Sequence, residues 1–174
     1  MTNIMMYAVL LGGVNIGGRT VKSDELKQSF IKAGFKNPQT VLASGNVIIS
    51  SDKNTDDLKN EIEAFLLKDF NFSIQVIVVD FVTLQKIVEA YPFQEAGPEY
   101  HRYIIFREKD TLLDTKMVQA ETEAIVQYKN IIYWCVLKGM TLESVFSKYQ
   151  AKLARKEFST TRNINTIEKI LAKA

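Results

Sequence analysis

The order of the secondary-structure patterns constrains the fold of this chain more than any other feature of its sequence. In the first half, short apolar and β-branched runs alternate with amphipathic stretches of helical period, in the order β-α-β-β-α-β. The predicted strands are Met5–Leu11, Thr40–Ala43, Asn46–Ser50 and Ser73–Val79. The middle two flank Ser44-Gly45, a pair typical of a hairpin turn. This order predicts a ferredoxin-like unit, in which an antiparallel sheet is covered on one face by two helices.

Local signals place the two helices of this unit. The first has Ser23 as its predicted N-cap, two acidic residues in its first turn, and Gly34 as its stop. The second is predicted to be capped by Asn54 or Thr55. Its apolar stripe has helical spacing and consists of Leu58, Ile62, Phe65 and Leu66.

The second half repeats the pattern less regularly. A helix ending at Pro92 is followed by a strand at Tyr103–Phe106 and a weakly patterned helix around Met117. Further along, Ala124–Tyr128 and Ile131–Leu137 predict a hairpin. A helix capped by Thr141 is predicted after it, and a last helix is predicted from Asn165 and Glu168, which have capping-box spacing. We therefore predict an α+β protein of two ferredoxin-like halves. Residues 1–81 form the first half, 82–99 a helix and linker, and 100–174 the second half with basic C-terminal helices.

The composition excludes several kinds of site. One Cys and one His cannot form an internal disulfide or a Cys/His zinc site, and we expect neither a metal nor a cofactor. The net charge of +2 requires neither nucleic acid nor a membrane as partner. The apolar run Ile4–Leu11 is too short to span a bilayer and lacks the flanks of a signal peptide. We therefore expect a cytoplasmic protein without a membrane partner.

The glycine-rich stretch after the first strand has the spacing of a phosphate-binding P-loop. Residues 13–20 fit that pattern with Arg19 in place of the lysine, and Asp80 follows an apolar run as a Mg²⁺-binding Asp would. However, Arg differs from Lys in reach and geometry, and the predicted helix starts at Ser23 rather than at Thr20. The hairpin also does not suit an all-parallel sheet. We therefore favour a simple turn that lets the chain leave the strand.

Three dispersed motifs stand out, namely Leu10-Leu11-Gly12-Gly13-Val14-Asn15-Ile16-Gly17-Gly18, Ser44-Gly45-Asn46-Val47 and Thr160-Thr161-Arg162-Asn163. In order and spacing, from residue 5 to about 172, they resemble the bacterial family called domain of unknown function 1697 (DUF1697). The resemblance implies an α+β fold of two ferredoxin-like subdomains, and it implies no activity. Gly12 stands where the family usually has Arg, so this chain lacks that basic side chain.

The same motifs supply the candidate ligand-binding residues. Backbone N–H groups of a glycine-rich loop can hold an anion, and the five donors of an arginine suit a carboxylate or a phosphate. The candidates are Asn15, Gly17, Gly18, Ser44, Asn46, Thr161, Arg162 and Asn163.

Each candidate also has a structural interpretation. Ser44 and Asn46 suit a tight turn, and Asn15 suits a tie within its own loop. Thr161 or Asn163 can cap the last helix, and Arg162 can belong to an internal salt bridge.

Charge is unevenly distributed along the chain. Residues 138–174 carry eight basic and three acidic side chains, whereas the first 137 carry fourteen and seventeen. The basic stretch includes Lys148, Lys152, Arg155, Lys156 and Arg162. It is either a solvated helix face or a footprint for an anion; nucleic acid is a weaker alternative, since no RNA- or DNA-binding signature is present.

No catalytic constellation emerges from the sequence. Cys135 lies in a strand that is apolar on both faces, which predicts a buried, inert thiol, and His101 is its one candidate partner. We therefore favour a cytoplasmic, non-enzymatic protein that binds a small anionic or nucleotide-like ligand. One alternative is an enzyme acting on a phosphorylated compound, with Arg162 stabilising charge. Another is a protein-interaction module whose motifs are purely structural.

Overall fold

The computed structural model of the protein describes residues 3–14, 19–42, 45–114 and 120–174. Within these residues the chain forms two four-stranded antiparallel sheets and five α-helices. The chain divides into two units, one of Met1–Lys86 with Glu168–Ala174 and one of Ile87–Ile167. The α+β class predicted from the sequence is therefore confirmed.

The first unit has the predicted β-α-β-β-α-β order. Its elements are β1 (Met5–Leu11), α1 (Ser23–Lys32), β2 (Gln39–Thr40), β3 (Asn46–Ser51), α2 (Thr55–Phe70) and β4 (Val76–Asp80). The sheet order is β2-β3-β1-β4, and every neighbouring pair is antiparallel. This is the ferredoxin-like arrangement, with β1 and β3 in the middle of the sheet.

The core of the first unit lies between one face of this sheet and the two helices. Alternate residues of β1 are buried there, because successive strand residues face opposite sides of a sheet. The stripe of α2 is buried as predicted at Leu58, Ile62 and Leu66. Phe30 of α1 packs edge-on against Phe65, with ring centroids 5.0 Å apart.

The ends of these elements differ in detail from the predictions. Asn54 is the cap of α2, its Oδ1 accepting from the Asp57 N–H at 2.8 Å. The prediction for α1 is wrong by one residue, since the helix begins at Ser23 and Lys22 occupies the N-cap position. Strand β2 ends at Thr40 because Leu42 adopts a left-handed backbone (φ 61°), which turns the chain towards β3.

The second unit repeats the same strand arrangement. After α3 (Phe81–Glu89), the elements of this unit are β5 (Tyr100–Arg107), β6 (Glu123–Tyr128), β7 (Ile131–Leu137), α4 (Val145–Leu153), β8 (Ser159–Asn163) and the start of α5 (Ile164–Leu171). The sheet order β6-β7-β5-β8 corresponds strand for strand to that of the first unit. The predicted helix around Met117 falls on residues 115–119, outside the described residues.

Two helix caps in the second unit lie away from their predicted positions. The prediction of Thr141 as a cap is wrong, because the backbone N–H of Ser144 bonds to the Met140 carbonyl and closes a turn there. Ser144 caps α4 instead, accepting from the Ser147 N–H at 3.0 Å. Asn163 caps α5 by accepting from the Asn165 N–H at 2.9 Å, so Asn165 is not the cap that the capping-box spacing predicted.

Both faces of the second sheet carry buried apolar side chains. One face packs against α4 through Ile105, Ile132, Trp134, Val136 and Phe146. On the other face, Tyr91 packs edge-on against Tyr133, with ring centroids 5.4 Å apart. The Tyr91 hydroxyl donates to the Trp134 carbonyl at 2.9 Å. Because Tyr91 follows α3, these contacts fix the segment that leads from α3 into β5.

Arg107 and Glu123 are buried charged residues of the second unit. The Arg107 guanidinium donates to Glu157 from Nε at 2.8 Å and to the Thr111 carbonyl from Nη1 at 2.6 Å. Glu123 accepts from Trp134 Nε1 at 2.9 Å and from the backbone N–H of Phe146 at 3.0 Å. The Glu123 carboxylate thereby ties β6 to β7 and to the first turn of α4, where a negative charge is favoured.

The strand directions argue against a P-loop fold, as the sequence analysis does. β1 is antiparallel to both of its neighbours, unlike the sheet of a P-loop protein. Asp80 accepts from the N–H and the hydroxyl of Thr83, at 2.8 and 2.7 Å, and so begins α3. No helix among the described residues is long and apolar enough to cross a membrane.

Candidate functional site

A pocket of about 350 Å³ at one end of the second sheet collects basic and amide side chains. We call it the basic pocket. Its lining residues are Ala96, Gly97, Pro98, Tyr100, His101, Arg102, Lys138, Asn163, Ile164 and Asn165.

The antiparallel topology explains why these distant residues meet. β7 and β8 both run antiparallel to β5, so the ends of β7 and β8 flank the beginning of β5. His101 and Arg102 lie at the beginning of β5, Lys138 follows β7, and Asn163 ends β8. The Lys138 N–H donates to the Glu99 carbonyl at 2.8 Å and holds the two chain segments together.

Arg102 and Lys138 give the pocket hydrogen-bond donors of positive charge. His101 and Arg102 are half-buried, and Lys138 is exposed. Arg102 makes one long hydrogen bond, from Nη1 to the Gln94 carbonyl at 3.4 Å. None of the described residues that line the pocket is acidic, and the Glu99 carboxylate lies beside the lining residue Gly97. Because ionised donors form the strongest hydrogen bonds to phosphate and carboxylate groups, the arrangement suits an anion.

Asn163 belongs both to a helix cap and to this pocket. Its Oδ1 accepts from the Asn165 N–H, which starts α5 at the pocket wall. An Asn amide has two N–H donors besides its oxygen. The partial positive charge of a helix N-terminus adds to that of the basic side chains. Asn163 is thus the candidate from the sequence that lines the pocket.

The other candidates of the third motif make bonds within the unit. Thr161 accepts at Oγ1 from Gln150 Nε2 at 2.9 Å, which ties β8 to α4. Arg162 donates from Nη1 to Thr160 Oγ1 at 2.5 Å and to the Thr161 carbonyl at 3.0 Å. Burial lowers the pKa of Arg162 to about 10, so its guanidinium stays charged at neutral pH. The expected ligand contact of Arg162 stays a prediction.

The remaining candidates belong to the first unit. Asn46 begins β3, is buried, and donates from Nδ2 to the Val41 carbonyl at 3.1 Å, which is a turn-forming bond. Gly45 beside it has φ 86°, the left-handed conformation expected for this turn. Asn15, Gly17, Gly18 and Ser44 lie outside the described residues.

His101 and Cys135 do not form a nucleophile–base pair. In the β5–β7 register His101 lies opposite Val136, whereas Arg102 lies opposite Cys135, so the two side chains leave opposite faces of the sheet. Burial raises the pKa of the Cys135 thiol, with a smaller opposing effect from the Arg102 charge. Cys135 is therefore a neutral thiol at pH 7, as its apolar strand predicted.

Sequence reasoning missed Arg102, Lys138 and Asn165 as site residues. They share no local motif, and the turns that bring them together depend on the strand order. In the described part of the chain, no three His, Cys, Asp or Glu side chains are grouped as a metal site requires.

Comparisons with known proteins address the family and the fold. The family model described as "Protein of unknown function (DUF1697)" matches residues 4–133. The solved structure of the conserved bacterial protein SP0830 from Streptococcus pneumoniae is similar over 98% of each chain, with a TM-score of 0.79 and 21% sequence identity. At that identity the similarity shows the fold alone. No curated protein matches the chain significantly.

Proposed function

Because the chain belongs to the DUF1697 family, whose function is unknown, we propose a function from the basic pocket itself: the protein binds a small anion there, without catalysing a reaction on it. The observation that carries this proposal is the presence of Arg102 and Lys138 among the residues that line one pocket. The Arg102 and Lys138 side chains carry like charges, which repel each other. A bound anion relieves that repulsion.

The size of the pocket and its polar groups also support a small ligand. A volume of about 350 Å³ lies within the usual range of small-molecule sites. The donors are of several types, namely a guanidinium, an ammonium, an imidazole and side-chain amides. Such a set matches the several oxygens of a phosphate or carboxylate group better than it matches a neutral molecule.

We also propose that the protein is cytoplasmic, that its source is bacterial, and that it does not catalyse a reaction. Cys135 is a buried free thiol, the state in which cysteines of cytoplasmic proteins are kept. A bacterial source is expected from the resemblance to a bacterial family. Cys135 does not line the basic pocket, which argues against a reaction of the bound anion with the thiol.

Anion binding is tested by thermal unfolding and calorimetric titration of the full chain with phosphate, pyrophosphate, sulfate and citrate. We expect at least one of these to raise the melting temperature in a concentration-dependent way. Replacing Lys138 with Ala should weaken binding about tenfold or more, because a charge-assisted hydrogen bond of about 1.5–3 kcal/mol is lost.

Lys148→Ala is the matched control. It removes one exposed positive charge from the same unit, and Lys148 does not line the pocket. Its affinity for the anion should equal that of the wild type. Equal losses in both variants would show a general effect of charge, and the absence of stabilisation by every anion would refute the proposal.

A further inference from the structure

A second and larger pocket adjoins the basic pocket within the same unit. Its volume is about 520 Å³, and it shares Ala96 and Tyr100 with the basic pocket as lining residues. The shared wall is a turn closed by a hydrogen bond from the Tyr100 N–H to the Gly97 carbonyl at 3.1 Å. The two pockets therefore meet at this turn.

The second pocket has a flat, apolar wall. We call it the aromatic pocket, because Phe93 and Tyr100 line it together with Pro92, Ala96 and Ala124. The Phe93 ring is held edge-on against Tyr91 at a centroid distance of 5.8 Å. Tyr91 is fixed in turn by its hydrogen bond to the Trp134 carbonyl. An aromatic wall that is already in place suits a planar ring, because little side-chain freedom is lost on binding.

The electrostatics of the aromatic pocket are opposite to those of the basic pocket. Two exposed acidic residues, Glu95 and Glu121, line it; Glu123 is a third lining residue, but its side chain leaves the face of β6 opposite to that of Ala124. Both oxygens of Glu123 accept hydrogen bonds from the protein, which fixes its position. Glu95 and Glu121 are exposed and can accept from a ligand. A ligand group with N–H donors is therefore attracted to the Glu95 and Glu121 carboxylates.

We propose that the two pockets form one site for a nucleoside phosphate, with its phosphate in the basic pocket and its base in the aromatic pocket. A nucleobase combines flat apolar faces with N–H donors at its edge, which are the two features that this lining favours. A small phosphorylated amine also carries donors, but it has no ring to cover Phe93 and Tyr100. This inference rests on the proposed anion binding at the basic pocket.

Calorimetric titration of the full chain in phosphate-free buffer tests the inference. The probes are inorganic phosphate, ribose 5-phosphate, adenosine, AMP and O-phosphoethanolamine. Since stacking of one base on aromatic side chains is worth about 1–3 kcal/mol, AMP should bind about tenfold or more tightly than ribose 5-phosphate. Phosphoethanolamine should bind no more tightly than ribose 5-phosphate.

A pair of variants on the edge strand β6 locates the base. Ala124→Phe fills the aromatic pocket from an exposed strand position, and strands accept aromatic residues well. It should reduce AMP affinity to that of inorganic phosphate and leave phosphate binding unchanged. Val126→Phe is the matched control, since Val126 is exposed two residues further along β6 and lines neither pocket. If Ala124→Phe fails to fold, Phe93→Leu removes the ring while retaining apolar bulk, and AMP affinity should again fall.

The outcomes separate this inference from the proposed function. AMP binding no tighter than phosphate, AMP binding unaffected by Ala124→Phe, or phosphoethanolamine binding as tightly as AMP would each overturn the two-pocket site and leave anion binding in place. Adenosine binding as tightly as AMP would overturn the inference too, because the phosphate would then contribute nothing. If neither phosphate nor AMP binds, both the proposed function and the inference fail.

Discussion

Arg107 and Glu157 form an ion pair from which water is excluded, with side chains 1% and 4% exposed. One hydrogen bond joins them, from Arg107 Nε to Glu157 Oε1 at 2.8 Å, and Arg107 Nη2 lies 2.7 Å from the same oxygen. Two further bonds go to Thr111, from Nη1 to its carbonyl and from Nη2 to its hydroxyl. Because burial makes an uncompensated charge costly, removing one partner is worse than removing both.

Glu157→Ala should therefore lower the free energy of unfolding by about 3–5 kcal/mol, since it leaves the Arg107 charge buried alone. The double change Arg107→Met with Glu157→Leu should recover much of that loss. Urea denaturation followed by circular dichroism measures both. The exposed pair Lys53–Glu61, with side chains 50% and 33% exposed, supplies the control. Glu61→Ala should cost less than about 1 kcal/mol, and a similarly small effect of Glu157→Ala would contradict the argument.

At the scale of single residues, sequence reasoning identified residue chemistry but not residue neighbours. It predicted Cys135 to be buried, which the structure bears out. It singled out Arg162 for its donors but passed over Arg102 and Lys138, which line the basic pocket. Nothing in the linear sequence relates Lys138 to Arg102, because only the pairing of β5 with β7 brings the two segments together.

At the scale of elements, Asn163 links the start of α5 to the basic pocket. Its side-chain oxygen caps the helix, and its position places it among the pocket-lining residues. Aspartate is as good an N-cap as asparagine, and its charge is favoured at a helix N-terminus. In the basic pocket the same charge would repel an anion. The two roles can therefore be separated by one substitution.

Asn163→Asp should keep the free energy of unfolding within about 0.5 kcal/mol of the wild type and weaken phosphate binding about tenfold or more. Asn163→Ala should instead lose about 1 kcal/mol of stability through loss of the cap. Thermal unfolding and calorimetric titration of the two variants give both quantities. Phosphate affinity unchanged in Asn163→Asp would show that the bound anion does not lie near this residue.

The ends of helices and strands could be predicted where a local sequence signal determines them. They could not be predicted where a tertiary contact determines them. The stripe and cap of α2 follow from spacing and from Asn54, and the β6–β7 hairpin follows from two apolar runs about Lys129, whose φ is 52°. Thr141 has the chemistry of a cap, but the Met140–Ser144 turn displaces the start of α4 to Val145.

At the scale of the whole molecule, both sheets have the same strand order. β1 and β3 are central in the first sheet, and β5 and β7 are central in the second. The order of elements along the chain indicated the ferredoxin-like class, because hairpins and helices leave local patterns. The equivalence of the two sheets was harder to predict, since it depends on pairings between residues that are far apart in sequence, such as Ile104 with Arg162.

Hydrogen–deuterium exchange followed by mass spectrometry tests this strand order. Amides of the central strands β1, β3, β5 and β7 bond on both sides of the sheet and should exchange much more slowly than those of the edge strands β2 and β6. The comparison is made within each sheet, β3 against β2 and β7 against β6. Equal protection of β6 and β7 would contradict the assignment of β6 to an edge.

Trp134 is the one tryptophan of the chain, and its place in the second sheet gives the protein an optical reporter of its own. The indole lies between the rings of Tyr103 and Phe146, each with its centroid 5.2 Å away, and its N–H is held by the Glu123 carboxylate. All of the indole emission therefore comes from a single, defined environment. Because Trp134 is buried in the core of the second unit, loss of that core on unfolding can be followed by intrinsic fluorescence without attaching a label.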